Sequence, residues 1–245
     1  MWHFGGERSI ITQPKNSLRL SKASHYFKIF YLYLYSKFMK HELQNIISGK
    51  SQVRHGDAIQ TVASYLRRSN SASGKTSESK QIKNQETTHL KTFCNTNHFW
   101  VDDIDISTFV SSGAEQKVYL QNEFKVIKLN DAIYYATWED YLNNLLLNNF
   151  FFPDTAYQLI GFYENNTALY AVVEQTFIKS DGVTELENVK QFLAANGFIN
   201  KKNNDYFNPQ LGIILEDLHD ENVLTFQGNL FFIDTVFYLT EQFYL

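Results

Sequence analysis

One segment near the end of the chain limits the possible folds more than any other. An apolar stretch at residues 211–215 leads into a polar loop, and a second apolar stretch at residues 230–233 ends in Asp234. The loop holds Asp217 and Asn222 in an Asp-x4-Asn spacing. A short hairpin is predicted between Asn222 and the strand that ends in Asp234, so that two short apolar strands bracket the polar loop. The alternative is an ordinary surface hairpin with solvated carboxylates.

The remainder of residues 100–245 alternates between short strands and helices. Strand-like runs occur at residues 117–120, 124–129, 159–163 and 169–173. Helical patterns at residues 134–148 and 183–196 separate some of them from the final hairpin. Strands and helices in this order predict an α+β domain over residues 100–245.

The first hundred residues differ from the rest, because their patterns predict helices and no strands. Residues 39–70 are predicted to form a helical region, with helices at 40–47 and 57–68, and a further helix is predicted at 86–93. The Ser-rich stretch 71–85 between them predicts a flexible linker. Residues 1–38 are interpreted either as a non-native or disordered extension before Met39, or as an N-terminal helix at 26–39.

Charge divides the chain in the same way. Residues 1–100 hold 15 Lys and Arg against 5 Asp and Glu, whereas residues 101–245 hold 7 against 21. The basic part could contact nucleic acid or an acidic partner, or it could dock on the acidic part of the same chain.

Composition excludes several classes of protein. Hydrophobic residues make up 44% of the chain, which is too many for a disordered protein. The single cysteine, Cys94, allows no internal disulfide, and no apolar run has the length of a membrane span. We therefore expect a soluble, cytoplasmic protein without membrane contact.

Four polar motifs supply the groups that phosphoryl transfer from ATP requires. The first surrounds Gly113, where a strand-like run turns and resumes at Val118. A turn of this kind could lie over phosphates with Gly113, Ala114, Glu115 and Val118, although a single Gly before a strand often marks a plain hairpin.

The second motif is a strand of the Val-Ala-Ile-Lys type that ends at Lys128, which would hold the phosphates. Glu139 on the following helix could pair with Lys128, and Asp140 is the alternative. The third motif is the strand end at residues 171–177. Its predicted contacts with adenine involve Glu174, Gln175 and Phe177.

The fourth motif is the loop and hairpin described first. Asp217 would act as the base or orient the acceptor hydroxyl. Asn222 and Asp234 would hold Mg²⁺, which prefers hard oxygen ligands. The four motifs occur along the chain in the order found in kinases.

These motifs together resemble the polyvalent protein kinase domain found in proteins of bacterial mobile elements. The similarity rests on residues 113–119, 125–131, 159–162 and 172–175 and on the Asp217, Asn222 and Asp234 set. Residues 43–68 resemble an upstream region of the same proteins. The resemblance implies a small protein-kinase-like fold with an antiparallel N-lobe sheet and a helix, and it implies phosphotransfer with ATP and Mg²⁺ as cofactors.

Some positions depart from the kinase pattern. Asp234 is followed by Thr235 and Val236 instead of Phe-Gly, Glu216 precedes Asp217, and the C-lobe is predicted to be truncated. A protein partner could complete that lobe. Two other hypotheses therefore remain open: a nucleotide-binding pseudokinase that acts as an interaction module, and a basic protein associated with nucleic acid.

Overall fold

The computed structural model describes residues 36–73, 79–113, 116–166 and 168–245, and the predictions for residues 1–35 lie outside it. Three helices open the described chain: α1 at residues 36–48, α2 (Gly56–Ser73) and α3 (Ser79–Asn97). The predicted apolar face of α2 is buried, as Ile59, Val62 and Leu66 have no exposed surface. Both predicted helices before residue 70 are confirmed.

The predicted linker between α2 and α3 is too long. Residues 71–73 belong to α2 and residues 79–85 belong to α3, so the 71–85 prediction is wrong for these positions. Hydroxyl groups along α3 donate to carbonyls four residues earlier, as Thr87 does to Lys83 and Thr92 does to Thr88. Such bonds do not by themselves favour a helix, so the burial of Leu90 and Cys94 in the core is what supports this polar sequence as a helix.

An antiparallel sheet of five strands follows. Its strands run in the order β1-β2-β3-β5-β4. Their bounds are β1 (Phe109–Ser112), β2 (Gln116–Asn122), β3 (Lys125–Asn130), β4 (Gln158–Asn165) and β5 (Ala168–Thr176). Helix α4 (Trp138–Phe151) lies between β3 and β4 in sequence. It begins after Thr137, whose side chain accepts a hydrogen bond from Asp140 N, so it starts four residues later than predicted.

The C-terminal part combines two helices with two small sheets. Helix α5 (Leu186–Ala195) is followed by β6 (Ile199–Lys202), β7 (Asp205–Asn208), β8 (Ile213–Glu216), β9 (Val223–Phe226), β10 (Asn229–Phe232), β11 (Val236–Leu239) and α6 (Glu241–Tyr244). Strands β9 and β10 form a hairpin, and the other sheet has the order β11-β8-β7-β6. Strands β6, β7, β9 and β11, of four residues each, have no counterpart among the predicted strands.

One buried cluster joins the N-terminal helices to the rest of the chain. It includes Leu43 and Leu66 from the helices, Leu142 from α4 and Phe243 from α6. Ion pairs cross the same boundary, from Arg67 to Glu139 and from Lys91 to Glu164. These contacts place basic side chains of α2 and α3 on acidic side chains of the following part.

Within the described residues, no helix has both the length and the apolar character needed to cross a membrane. The architecture is α+β, as predicted, with an antiparallel sheet and one helix preceding the smaller C-terminal sheets.

Candidate active site

A cavity of about 730 Å³ lies between the five-stranded sheet and the C-terminal hairpins. Its volume is within the range of about 300–1,000 Å³ that is usual for small-molecule sites. Eight of the residues predicted from sequence line it: Gly113, Val118, Lys128, Gln175, Phe177, Asp217, Asn222 and Asp234. Residues scattered over more than one hundred positions of the chain therefore meet around one space.

Lys128 lies in β3, between Val118 of β2 and Val173 of β5. Only 3% of it is exposed. Its Nζ donates a hydrogen bond of 2.7 Å to Ile233 O and lies 5.5 Å from the centre of the Tyr157 ring. Burial of an ammonium group costs free energy unless the group has partners. Because Lys128 has such partners here, its charge is held at a fixed point on the cavity wall.

The loop between β8 and β9 carries Asp217 and Asn222. Asp217 has a φ of 64°, a left-handed conformation that is uncommon for residues other than Gly, Asn and Asp. Asn222 Nδ2 donates to Asp217 O at 2.8 Å and to Asp217 Oδ2 at 2.9 Å. His219 Nε2 lies 3.4 Å from Asp217 Oδ1. The loop thus holds the carboxylate through both of its oxygens, in a backbone conformation that costs energy.

Partial removal from water raises the pKa of the Asp217 carboxyl above its ordinary value. His219 and Asn222 act in the opposite direction, while the nearby charges of Asp234 and Asp205 raise the pKa further. A raised pKa makes a carboxylate a better proton acceptor when it is ionised.

Asp234 follows β10 and is tied to the Asp217 loop by its backbone. Ile233 N and Asp234 N donate to Asn222 O at 2.9 and 3.3 Å. Tyr157 Oη donates to Ile233 O at 2.8 Å, and Gln116 Nε2 donates to Asp234 Oδ2 at 2.8 Å. The hairpin of β9 and β10 therefore brings Asn222 and Asp234 side by side.

Asn222 and Asp234 are suited to a magnesium ion. Asn222 uses its amide nitrogen toward Asp217, which leaves the amide oxygen as the group that would meet a cation. Among the described residues no group of three or more His, Cys, Asp or Glu side chains could form a metal cage. Magnesium bound to a nucleotide needs no such cage, because phosphates and waters complete its six ligands.

Apolar side chains also line the cavity. Val118, Val126, Leu224 and Ile233 line it together with the segment after β5 that contains Phe177. A slot between aliphatic side chains accepts a flat ring system, and peptide groups at a strand end supply hydrogen bonds to its edge. The cavity wall thus combines apolar and charged side chains.

Both predicted partners of Lys128 lie elsewhere. Glu139 pairs with Arg67 at 3.2 Å and does not line the cavity, so the structure gives it a different partner from the predicted one. Asp140 accepts a hydrogen bond from Thr137, because both acidic residues belong to the first turn of α4. Burial raises the pKa of the Glu139 carboxyl, and Arg67 opposes this rise.

Glu174 also lies away from the cavity, because neighbouring side chains of a strand point to opposite faces. It pairs with Lys125 on the other face of the sheet from Gln175. Gln175 itself is buried and donates to Thr155 O at 2.7 Å. Ala114 and Glu115 lie outside the described residues.

Several polar residues of the cavity had no predicted role, among them Gln116, Asp205, Glu216 and His219. Gln116 could have been found from strand alternation, since it shares a face of β2 with Val118. Asp205 gave no local signal, as it reaches the site only through the pairing of β7 with β8. Burial raises the pKa of the Glu216 carboxyl, and the charges of Asp205 and Asp217 add to the rise.

Comparison with known proteins agrees with this geometry. Residues 83–241, well over half of the chain, match the Kinase-PolyVal family, described as a serine/threonine/tyrosine kinase found in polyvalent proteins. No curated protein and no solved structure matches the chain. The matched region contains the five-stranded sheet, α4 and every described residue of the cavity wall. The chain belongs to the kinase family of polyvalent proteins.

Proposed function

We propose that the protein is a phosphotransferase that uses ATP and Mg²⁺ and transfers the γ-phosphoryl group to a hydroxyl. The observation that carries the proposal is the meeting of Lys128, Asp217, Asn222 and Asp234 around one cavity beneath the turn at Gly113. The family description supports a serine, threonine or tyrosine hydroxyl as the acceptor.

Each side chain has a defined part in this proposal. The apolar side chains of the cavity wall contact the adenine, and the segment after β5 offers backbone groups to the edge of its ring. Lys128 holds phosphate oxygens, and the turn at Gly113 covers them. Asn222 and Asp234 would hold Mg²⁺, which neutralises charge on the phosphates when bound.

The transfer itself requires little covalent chemistry from the protein. The acceptor oxygen forms a bond to the γ-phosphorus while the bond from that phosphorus to the bridging oxygen of ADP breaks. Asp217 orients the acceptor hydroxyl and receives its proton, which passes to water afterwards. The raised pKa of the Asp217 carboxyl suits this role.

Replacement of the base tests the proposal directly. Asp217→Ala should lower phosphate transfer from labelled ATP by roughly 10²–10⁴-fold, because general base assistance is lost. Thermal stabilisation by Mg-ATP should persist, since Asp217 does not hold the nucleotide. Asp181→Ala, which changes an acidic residue near the β9–β10 turn, is the matched control and should retain full transfer.

Other results would point to the competing hypotheses. Stabilisation by Mg-ATP without transfer to any protein acceptor, in wild type and variant alike, would favour a nucleotide-binding interaction module. Absence of any nucleotide effect, together with DNA retention that weakens as salt rises, would favour a protein associated with nucleic acid.

A further inference from the structure

Gln116 occupies the first position of β2, directly after the turn at Gly113. Gly113 N donates a hydrogen bond of 2.8 Å to Gln116 O. The Gln116 residue is 9% exposed and lines the cavity. Movement of its backbone would therefore also affect Gly113, which lines the same cavity.

The side chain of Gln116 crosses from the five-stranded sheet to the segment after β10. Its Nε2 donates a 2.8 Å hydrogen bond to Asp234 Oδ2, over 118 positions in sequence. A hydrogen bond from an amide to an ionised carboxylate is stronger than one between neutral groups. Among the described residues, Gln116 makes the hydrogen bond that joins the β2 strand to the Asp234 carboxylate.

The backbone around Asp234 is already held by other groups. Lys128 and Tyr157 both donate to Ile233 O, and Asp234 N donates to Asn222 O. These backbone contacts do not fix the rotamer of the Asp234 side chain. A donor on Oδ2 selects one rotamer of the carboxylate and leaves Oδ1 for a further partner.

We propose that Gln116 is a positioning residue that orients the Asp234 carboxylate for Mg²⁺ and connects the turn at Gly113 to that metal site. This inference rests on the proposed function. Hydrogen-bond donors to metal-binding carboxylates typically change metal affinity or activity by about 10–100-fold when they are removed. Gln116 acts through Asp234 and makes no contact with the reacting atoms.

Two substitutions remove the donor and keep the size of the side chain. Gln116→Leu and Gln116→Met should each raise the Mg²⁺ concentration for half-maximal thermal stabilisation at saturating ATP by about 10-fold or more. Binding of ATP in excess chelator should stay within about 2-fold of wild type. The contacts of the cavity wall with the adenine and of Lys128 with the phosphates are unchanged in these variants. Gln121→Leu, an exposed position of the same strand, should behave as wild type.

The Mg²⁺ dependence separates positioning from a general effect on folding. A purely structural role would lower the unfolding temperature without changing the Mg²⁺ midpoint, or would weaken ATP binding equally with and without Mg²⁺. Either of these two results would overturn the inference. If wild type responds to Mg²⁺ and both Gln116 variants show the same Mg²⁺ midpoint as wild type, the inference is overturned and the proposed function still stands. Wild type without any Mg²⁺-dependent stabilisation by ATP would overturn both.

Discussion

At the scale of single residues, two glycines share a backbone conformation but differ in how closely other atoms approach them. Gly212 and Gly228 have φ values of 72° and 73°, in the left-handed region. A Cβ atom on Gly212 would lie 2.4 Å from Phe243 N, whereas a Cβ on Gly228 would meet no atom within 4 Å. Gly212 therefore allows α6 to approach β8, and Gly228 serves only the β9–β10 turn.

The two alanine substitutions should have different effects on stability. Gly228→Ala should lower the free energy of unfolding by roughly 1–2 kcal/mol, the cost of a left-handed residue with a Cβ. Gly212→Ala should cost at least about 1 kcal/mol more, since α6 must shift away from the new methyl group. Urea unfolding of both variants measures the difference. Equal losses would show that α6 is not packed tightly on Gly212.

Residue identity also shapes the site through the unusual backbone at Asp217. Its left-handed conformation is stabilised by the two hydrogen bonds from Asn222. The Asp-x4-Asn spacing is visible in the sequence, but the reason for the spacing is structural. The amide at position 222 closes the loop on the residue that carries the proposed base.

At the scale of elements, the junction between α3 and α4 depends on one buried carboxyl. Glu86 accepts hydrogen bonds from Trp138 N at 2.6 Å and from Asn70 Nδ2 at 2.8 Å. It is fully buried, and burial raises the pKa of its carboxyl above the ordinary value of 4.5. A carboxylate at a helix N-terminus is favoured by the exposed N–H groups, so this contact joins the two helices.

The raised pKa of Glu86 has a direct consequence for stability. Between the ordinary value and the raised value, the folded protein binds more protons than the unfolded chain. The free energy of unfolding should therefore fall as pH rises through this window. Glu86→Gln should remove this contribution, so wild type should lose more stability than the variant between about pH 4 and about pH 7.

Thermal unfolding at the two pH values measures this difference. Glu187→Gln is the control, because Glu187 is an exposed residue in the first turn of another helix, α5. Its pH dependence should follow that of wild type. Parallel curves for wild type and Glu86→Gln would contradict the assigned role of the buried carboxyl.

At the scale of the whole molecule, the helices α1–α3 and the kinase-like part share one core. Leu142 and Leu146 of α4 are fully buried in the same cluster as Leu43 and Leu66. Lys40 and Gln44 of α1 donate to the carbonyls of Gln242 and Phe243 in α6. The two ends of the described chain are therefore packed against each other through several elements.

A fragment of residues 100–245 should accordingly fail to fold cooperatively. Removal of α1–α3 exposes the apolar side of α4 and leaves Trp138 N without Glu86. We expect no sharp thermal transition and strong binding of a hydrophobic dye. Residues 36–245 are the control and should unfold cooperatively. A sharp transition of the short fragment, with low dye binding, would show that α1–α3 are dispensable for folding.

Local sequence patterns determined where most of the longer helices and strands of this protein lie. Apolar periodicity located α1, α2, α4, α5 and the strands from β2 to β5, because those elements are long enough to repeat. The spacing of Asp217, Asn222 and Asp234 located the polar loop and the hairpin, and the order of motifs indicated the family. These features depend on neighbours within a few positions, which a sequence displays directly.

Only the tertiary structure decided which distant side chains face each other. Glu139 meets Arg67, Gln116 meets Asp234, and Asp205 enters the cavity through strand pairing. Strands of four residues such as β6 and β7 are too short to show a period, so their pairing follows from packing. Contacts over a hundred positions depend on how whole elements pack, and no local pattern contains that information.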